Sequence, residues 1–153
     1  MDSSDLAFHF ITPAHPLYAK ECQLRWERLR RPLGHPLGTE KFDFEDSACH
    51  LVATDGNGEC VGCVLFIEQG ERTGRLFQMA VSAHVEGHGL GRALVRTLER
   101  HLRAQGIEHV FLHARCHVQG FYERLGYVPC SDVYEEVGIP HISMERRLRP
   151  ESA

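Results

Sequence analysis

The sequence predicts an α+β fold in a single domain over residues 1–153, and three features carry that expectation. Apolar strand patterns joined by tight turns fill residues 48–81, a long amphipathic helix follows a glycine-rich segment, and strands and a short helix complete the chain. With 153 residues, 42% of them hydrophobic and 25% charged, the chain has the size and composition of one ordinary core. A formal net charge of −4 gives no support to a nucleic-acid or membrane-surface role. No apolar run reaches the length of a membrane span, and MDSSDLAFHF is acidic where a signal peptide is basic. The expectation is a cytoplasmic protein with neither nucleic acid nor membrane as partner.

Leu6–Ile11 reads as a short strand, Thr12-Pro13 as a break, and Pro16–Arg31 as a helix that ends before Pro32, because proline disfavours helical geometry in the residue ahead of it. The stretch RPLGHPLGTEKFDFED is an irregular loop of the kind that carries either substrate contacts or a plain surface connection. Ala48–Thr54 and Glu59–Glu68 form an antiparallel hairpin through DGNG, whose residues accept positive φ cheaply. A second turn, QGERTG, leads to the strand Arg75–Val81 and makes a three-stranded meander. After the long helix come the strand Ile107–His113, the short helix His117–Leu125, and strands over Tyr127–Val137 and Ile142–Leu148. The turn Gly138-Ile139-Pro140-His141 separates those last two, and residues 149–153 read as frayed.

The segment from Arg75 to Gly106 organises the rest. Leu90, Ala93, Leu94, Thr97, Leu98, His101 and Leu102 recur at helical spacing, while Arg92, Arg96, Glu99, Arg100 and Arg103 fall on the other face. Gly87, Gly89 and Gly91 alternate at the helix start, where each interior glycine costs about 1 kcal/mol relative to alanine. Two readings are open. The glycines allow an anion such as a pyrophosphate to approach the helix amides, or they form a tight turn that only packs well. Neither the Walker pattern nor the G-x-G-x-x-G dinucleotide fingerprint is met.

Six cysteines in a chain read as cytoplasmic are expected to be reduced, small buried hydrophobes. Cys60 and Cys63 form a lone C-x-x-C in a strand, where their odd separation places them on opposite faces. His113, Cys116 and His117 have no second ligand pair at zinc spacing, so no metal is expected.

The order of elements resembles the GNAT acetyltransferase superfamily over nearly the whole chain, and two motifs agree. The family's pyrophosphate loop, Q/R-x-x-G-x-G/A, is similar to Glu86-Gly87-His88-Gly89-Leu90-Gly91, with Glu86 departing from the pattern. The later motif, A-x-x-F-Y-x-x-x-G-F, is similar to Val118–Tyr127, with Arg115 standing where many members have asparagine. Within the superfamily the chain resembles the ElaA-like branch through Glu45-Asp46, Ala48–Leu51, His113–Arg115 and, most distinctively, Glu136–His141.

The resemblance implies a GNAT-like fold: a twisted, mostly antiparallel sheet of six to seven strands, helices on both faces, and a splay between the fourth and fifth strands. It implies acetyl-CoA as co-substrate and a primary amine of a small molecule or peptide as acceptor, attacked directly in a ternary complex; a homodimer is common among members. A catalytically inactive acyl-CoA-binding module is the alternative. Cofactor contacts are expected from Met79, Ala80 and Val81 on the strand, from Gly87, His88, Gly89, Leu90, Gly91 and Arg92 at the loop, and from Arg115 and Phe121. Tyr122 falls on the family's thiolate-protonating tyrosine. Gln78 sits where some members carry a glutamate base, so His141 is the first candidate for that role, with His50, Glu135 and His113 as alternatives. Arg25, Asp46 and His50 are expected to shape the acceptor site.

Overall fold

The computed structural model describes residues 5–149, so the expected frayed tail lies outside the described residues apart from Arg149. Eight strands and three α-helices follow in the order β1 (Ala7–Ile11), α1 (Tyr18–Arg25), β2 (Cys49–Thr54), β3 (Cys60–Gly70), β4 (Thr73–Val81), α2 (Leu90–Ala104), β5 (His109–Arg115), α3 (Gln119–Arg124), β6 (Val128–Pro129), β7 (Tyr134–Glu136) and β8 (Ile139–Arg147). The sheet order is β1-β2-β3-β4-β5-β8-β6, with β7 also paired to β8. All pairings with a defined register are antiparallel except β4 with β5, which is parallel over Thr73–Arg75 and His109–Phe111 and goes no further. That short pairing is the expected splay. No helix among the described residues is long and apolar enough to cross a membrane.

The chain packs as two compact units. One takes the chain up to Ile67 together with Gln78–Leu98; the other takes Glu68–Phe77 together with the chain from Glu99 onward.

In the first unit the DGNG hairpin forms because Asp55 caps its own turn. Its carboxylate accepts the amides of Asn57 and Glu59 at 2.9 and 3.0 Å, and Gly58 takes the left-handed conformation at φ 78°. Ile11, Leu24, Val52, Cys63 and Ala80 make one core cluster, against which Leu17, Tyr18, Leu29 and Cys60 pack. The neighbouring residue Gly62 points the other way, toward Leu90 and Leu94 of α2, so helices cover both faces of this part of the sheet.

Cys60 and Cys63 share a core because Thr54 pairs with Cys60 while Ala53 pairs with Gly62, leaving Val61 as the extra residue of a β-bulge. The bulge resets the alternation, and the expected opposite placement of the two thiols is overturned. Burial pushes the Cys60 thiol up to about 11 and the Cys63 thiol well above its ordinary value, so both stay protonated.

The predicted helix at Pro16–Arg31 is α-helical only over Tyr18–Arg25. It continues as a π-helical turn over Trp26–Arg30 and a 3₁₀ turn over Arg31–Leu33, with Pro32 in the opening positions where its missing N–H costs no bond.

In the second unit β5 pairs with β8 over seven positions, from His109↔Arg147 to Arg115↔His141. Where the sequence predicts one strand over Tyr127–Val137, the chain forms β6 and β7, which brings the strand number to eight. The turn also moves. Val137 and Gly138, at φ 48° and 74°, make a two-residue hairpin turn, and Ile139, Pro140 and His141 belong to β8. The stops after α2 and α3 match the expectation. At each, the left-handed glycine donates to the carbonyl three residues back and the next residue donates five back, as in Gly106 to Arg103 at 3.0 Å and Ile107 to Leu102 at 3.0 Å.

One helix residue is displaced from its predicted face. Glu99 is fully buried and accepts bonds from the Tyr127 hydroxyl at 2.9 Å and Arg146 Nη1 at 2.7 Å.

Candidate functional site

β4 departs from regular strand geometry at Gln78, whose φ is 53°. A non-glycine residue there costs on the order of 1–3 kcal/mol, and neighbouring side chains hold it in place. Arg25 Nε donates to Gln78 Oε1 at 3.3 Å, and the Cys63 thiol lies 3.4 Å from the Gln78 carbonyl oxygen. Alternation breaks accordingly: Leu76 and Phe77 are both buried, then Met79 and Val81 are half-buried around the buried Ala80. Met79 and Val81 thus lie on the opposite side of the strand from the core that takes Ala80.

After β4 a 3₁₀ turn, Ala83–Val85, is anchored by the buried Val85 and delivers the exposed segment Glu86–Gly89. Gly87 and Gly89 each have φ 80°, and no atom lies within 4 Å of where a Cβ would sit. Glycine is needed there for backbone shape, and the surface beside the loop stays open. The first helical bond joining the loop to α2 runs from Ala93 N–H to Gly89 O at 3.1 Å, so the amides of Leu90, Gly91 and Arg92 precede the helical ladder. Such amides, with the positive end of the helix dipole, suit an anion. Glu86 is already engaged: its carboxylate forms an ion pair with Arg28 from the π-helical turn.

Arg25 and His50 lie in one buried network. Arg25 Nη1 and Nη2 donate to the two oxygens of Glu45 at 2.8 and 2.9 Å, Nη1 also donates to Glu21 at 2.9 Å, and Nη2 donates to the Glu40 carbonyl. His50 places Nδ1 2.9 Å from Glu21 Oε2 and Nε2 2.8 Å from the Glu45 carbonyl oxygen. Burial raises the Glu45 carboxyl, but the Arg25 bond, the Phe42 amide and the Tyr18 hydroxyl outweigh it and bring the value to about 2. Burial likewise opposes charge on His50, and the Glu21 carboxylate overcomes it, so the ring is held above its ordinary value.

Both Arg25 and His50 have no exposed surface, so they face each other's partners and not solvent. Asp46 stays outside this network, exposed on the loop. Glu21, Cys22 and Glu45 bring ligand atoms within 4.8 Å of one another, yet both carboxylates are already engaged, Glu45 by Arg25 and Glu21 by Arg25 and His50.

In the second unit Tyr122 is buried on α3. Its ring meets Phe121 edge-on at 4.9 Å and Tyr127 at 5.8 Å. Burial pushes its phenol upward, so the hydroxyl keeps its proton. Phe121 and Arg115 are half-buried, with Arg115 just ahead of a 3₁₀ turn over Cys116–Val118.

His141 is 4% exposed, with Nδ1 2.8 Å from the Ile139 carbonyl oxygen and Nε2 3.4 Å from Glu136 Oε2. The other carboxylate oxygen, Glu136 Oε1, is 3.0 Å from His113 Nδ1. Burial raises Glu136, and the His113 bond together with the charges of His113, Arg75 and His141 outweighs it, so this carboxyl lies below its ordinary value. Glu135, by contrast, is exposed. The residue types alone do not reveal Arg28, Glu136 or Glu21 as site partners. Only Glu21–Arg25, at helical i,i+4 spacing, has a sequence signal.

The sheet's fourth strand carries a strained residue and runs into a glycine loop at a helix start, which sets unladdered amides beside an open surface at a strand-to-helix junction. The chain belongs to the GNAT acetyltransferase family: the family described as "Acetyltransferase (GNAT) domain" matches residues 38–148. It is similar to proteins of the ElaA-like branch to which its motifs point. Protein ElaA of Escherichia coli (strain K12) is 39% identical over 72 residues, 46% of this chain and 47% of ElaA, so the chain spans about half the length of that relative. The protein YyaT of Bacillus subtilis (strain 168) is 32% identical over 109 residues, 71% of this chain and 73% of YyaT. Among solved structures, an acyl-CoA N-acyltransferase from Pseudomonas aeruginosa is 29% identical with a TM-score of 0.77, covering 92% of this chain and 99% of its own.

Proposed function

We propose that the chain is an acetyl-CoA-dependent N-acetyltransferase that moves an acetyl group to a primary amine of a small molecule or peptide by direct attack. The observation that carries this reading is the junction of the left-handed Gln78 with an open loop of two left-handed glycines and the unladdered amides of Leu90, Gly91 and Arg92. A diphosphate fits the loop because the amides donate without reorganising. His88 and Arg92 flank it, and Arg28 supplies a cation beside Glu86.

Bound acetyl-CoA supplies a thioester carbon for attack. The strand backbone at Met79, Ala80 and Val81 serves the pantetheine arm and acetyl oxygen. Tyr122, kept neutral by burial, returns a proton to the departing thiolate. Arg25 and His50 act from within their buried network by fixing Gln78 and the 31–46 loop, while Asp46 meets the acceptor from that loop's exposed side. Cytoplasmic placement fits a co-substrate of that kind.

The test has two stages. Calorimetric titration with acetyl-CoA should give saturable one-site binding, and CoA release should follow on adding a primary amine. Absence of binding refutes the cofactor reading; binding without release across a broad amine panel favours a regulatory acyl-CoA-binding module instead.

A further inference from the structure

His113, Glu136 and His141 form a line of two imidazoles bridged by one carboxylate, and the two rings are not equivalent. His141 is buried, and each of its nitrogens faces an acceptor: the Ile139 carbonyl at 2.8 Å and Glu136 Oε2 at 3.4 Å. No ring lone pair is turned outward, so His141 is poorly built to take a proton from a ligand. His113 differs. Its Nδ1 lies 3.0 Å from Glu136 Oε1, and a carboxylate accepts only from N–H, which fixes the neutral tautomer with the proton on Nδ1 and the lone pair on Nε2. The His113 side chain is 27% exposed against 5% for His141.

The surroundings hold this arrangement. Tyr134 stands edge-on to His113 at 6.0 Å and stacks on His141 at 6.2 Å, while its hydroxyl bonds Ser143 Oγ at 2.9 Å. Arg75 of β4 contributes a positive charge toward Glu136, and Arg115, two residues along β5, shares the His113 face opposite His141. Glu136 is therefore kept ionised between its partners. An imidazole whose inner N–H is held by an ionised carboxylate accepts a proton on its outer nitrogen and is stabilised once charged, the logic of base and orienting acid.

We infer that His113, oriented by Glu136, is the proton acceptor of the acetyl transfer, and that His141 braces Glu136 from behind. This rests on the transferase reading above. The neutral amine forms a C–N bond to the acetyl carbon and the C–S bond breaks. The amine's surplus proton passes to His113 Nε2, CoA leaves as the thiolate and is protonated by Tyr122, and the imidazolium's proton then returns through solvent to the Tyr122 phenolate, which restores both groups. Atoms and charge balance with no further reactant. Glu136 and His141 are positioning residues.

Turnover is measured by CoA release from acetyl-CoA with tyramine, spermidine, lysine and a lysyl peptide, across pH 5.5–9. H113Q should lower kcat by about 100-fold or more with KM for acetyl-CoA unchanged. E136Q keeps an acceptor for Nδ1–H but not the charge, so it should lower kcat with KM for acetyl-CoA again unchanged. H141Q should lose less than about tenfold in kcat. Full activity in H113Q, or a larger loss of kcat in H141Q than in H113Q, overturns the inference. Nitrogen-15 NMR of the unaltered protein gives a readout independent of folding defects and of turnover: His113 should carry its neutral-form proton on Nδ1, and an Nε2–H tautomer overturns the inference. Absence of CoA release by the unaltered protein with every amine refutes the transferase reading, whereas release unaffected by H113Q refutes only the assignment of His113.

Discussion

Glu86 stands where the family pattern has glutamine or arginine, and an acid beside a diphosphate is repulsive unless neutralised. The Arg28–Glu86 ion pair supplies that neutralisation, since both groups are partly exposed, at 36% and 55% of their side-chain surface, yet in direct contact. Arg28→Ala uncovers a full negative charge at the loop. At a separation of roughly 7 Å in water, one unit charge against a doubly charged diphosphate is worth about 1 kcal/mol, and screening at physiological salt reduces this to about 0.5 kcal/mol. Acetyl-CoA binding should therefore weaken about two- to eightfold in R28A, the larger effect at low salt. Glu86→Gln should act in the opposite sense, giving equal or tighter binding, because Arg28 is then released toward the phosphates. The double variant should return close to the unaltered protein. Calorimetry at 50 and 300 mM salt measures all four proteins, with acetyl-pantetheine, which lacks the diphosphate, as the ligand that should show no effect. A large loss of acetyl-CoA affinity in E86Q, or any gain in R28A, refutes this electrostatic account.

Four other outcomes follow from the same geometry. Tyr122→Phe should lower kcat by about 100-fold while leaving acetyl-CoA affinity unchanged, read by stopped-flow CoA release and calorimetry; unchanged turnover with chemistry rate-limiting removes Tyr122 from the mechanism. Arg25→Ala leaves Glu21 and Glu45 buried without their cation and should cost about 3–5 kcal/mol in urea denaturation, with only partial rescue by lysine because the bidentate fork is lost. Glu45 is ionised with a value depressed to about 2, so its contribution to stability is complete above the ordinary carboxylate range and drains away as pH falls from about 5 toward 2; an Arg25→Met variant should show a flatter decline over that window. Gly62→Val should destabilise by about 1–3 kcal/mol, because even a Cβ there meets Leu94 Cδ1 at 2.9 Å and Leu90 Cδ2 at 3.0 Å. Displacing Leu90 should also weaken acetyl-CoA binding, and an unchanged melting temperature with unchanged binding contradicts that coupling.

The amino-acid sequence by itself determines the features whose cause is local. The DGNG hairpin, the amphipathic α2, the left-handed stops at Gly106 and Gly126, and the glycine loop at 87–91 each follow from residue types within a few positions of one another. Ordered motifs around Gly89 and Tyr122 were enough to reach the family, confirmed by the match over residues 38–148. Tertiary structure decided everything that depends on partners far apart in the chain. Gln78 takes φ 53° where Arg25 and Cys63 meet it, a bulge at Val61 turns two cysteines to one face, and Glu99 is drawn inward by Tyr127 and Arg146. The residue spacing around His141 suggests an accessible turn, whereas the Val137–Gly138 hairpin places it in a buried strand and gives Glu136 two imidazoles to bridge. Periodicity reports which face of an element is apolar. Which polar side chains meet is set by register, and register is fixed only when the strands pair.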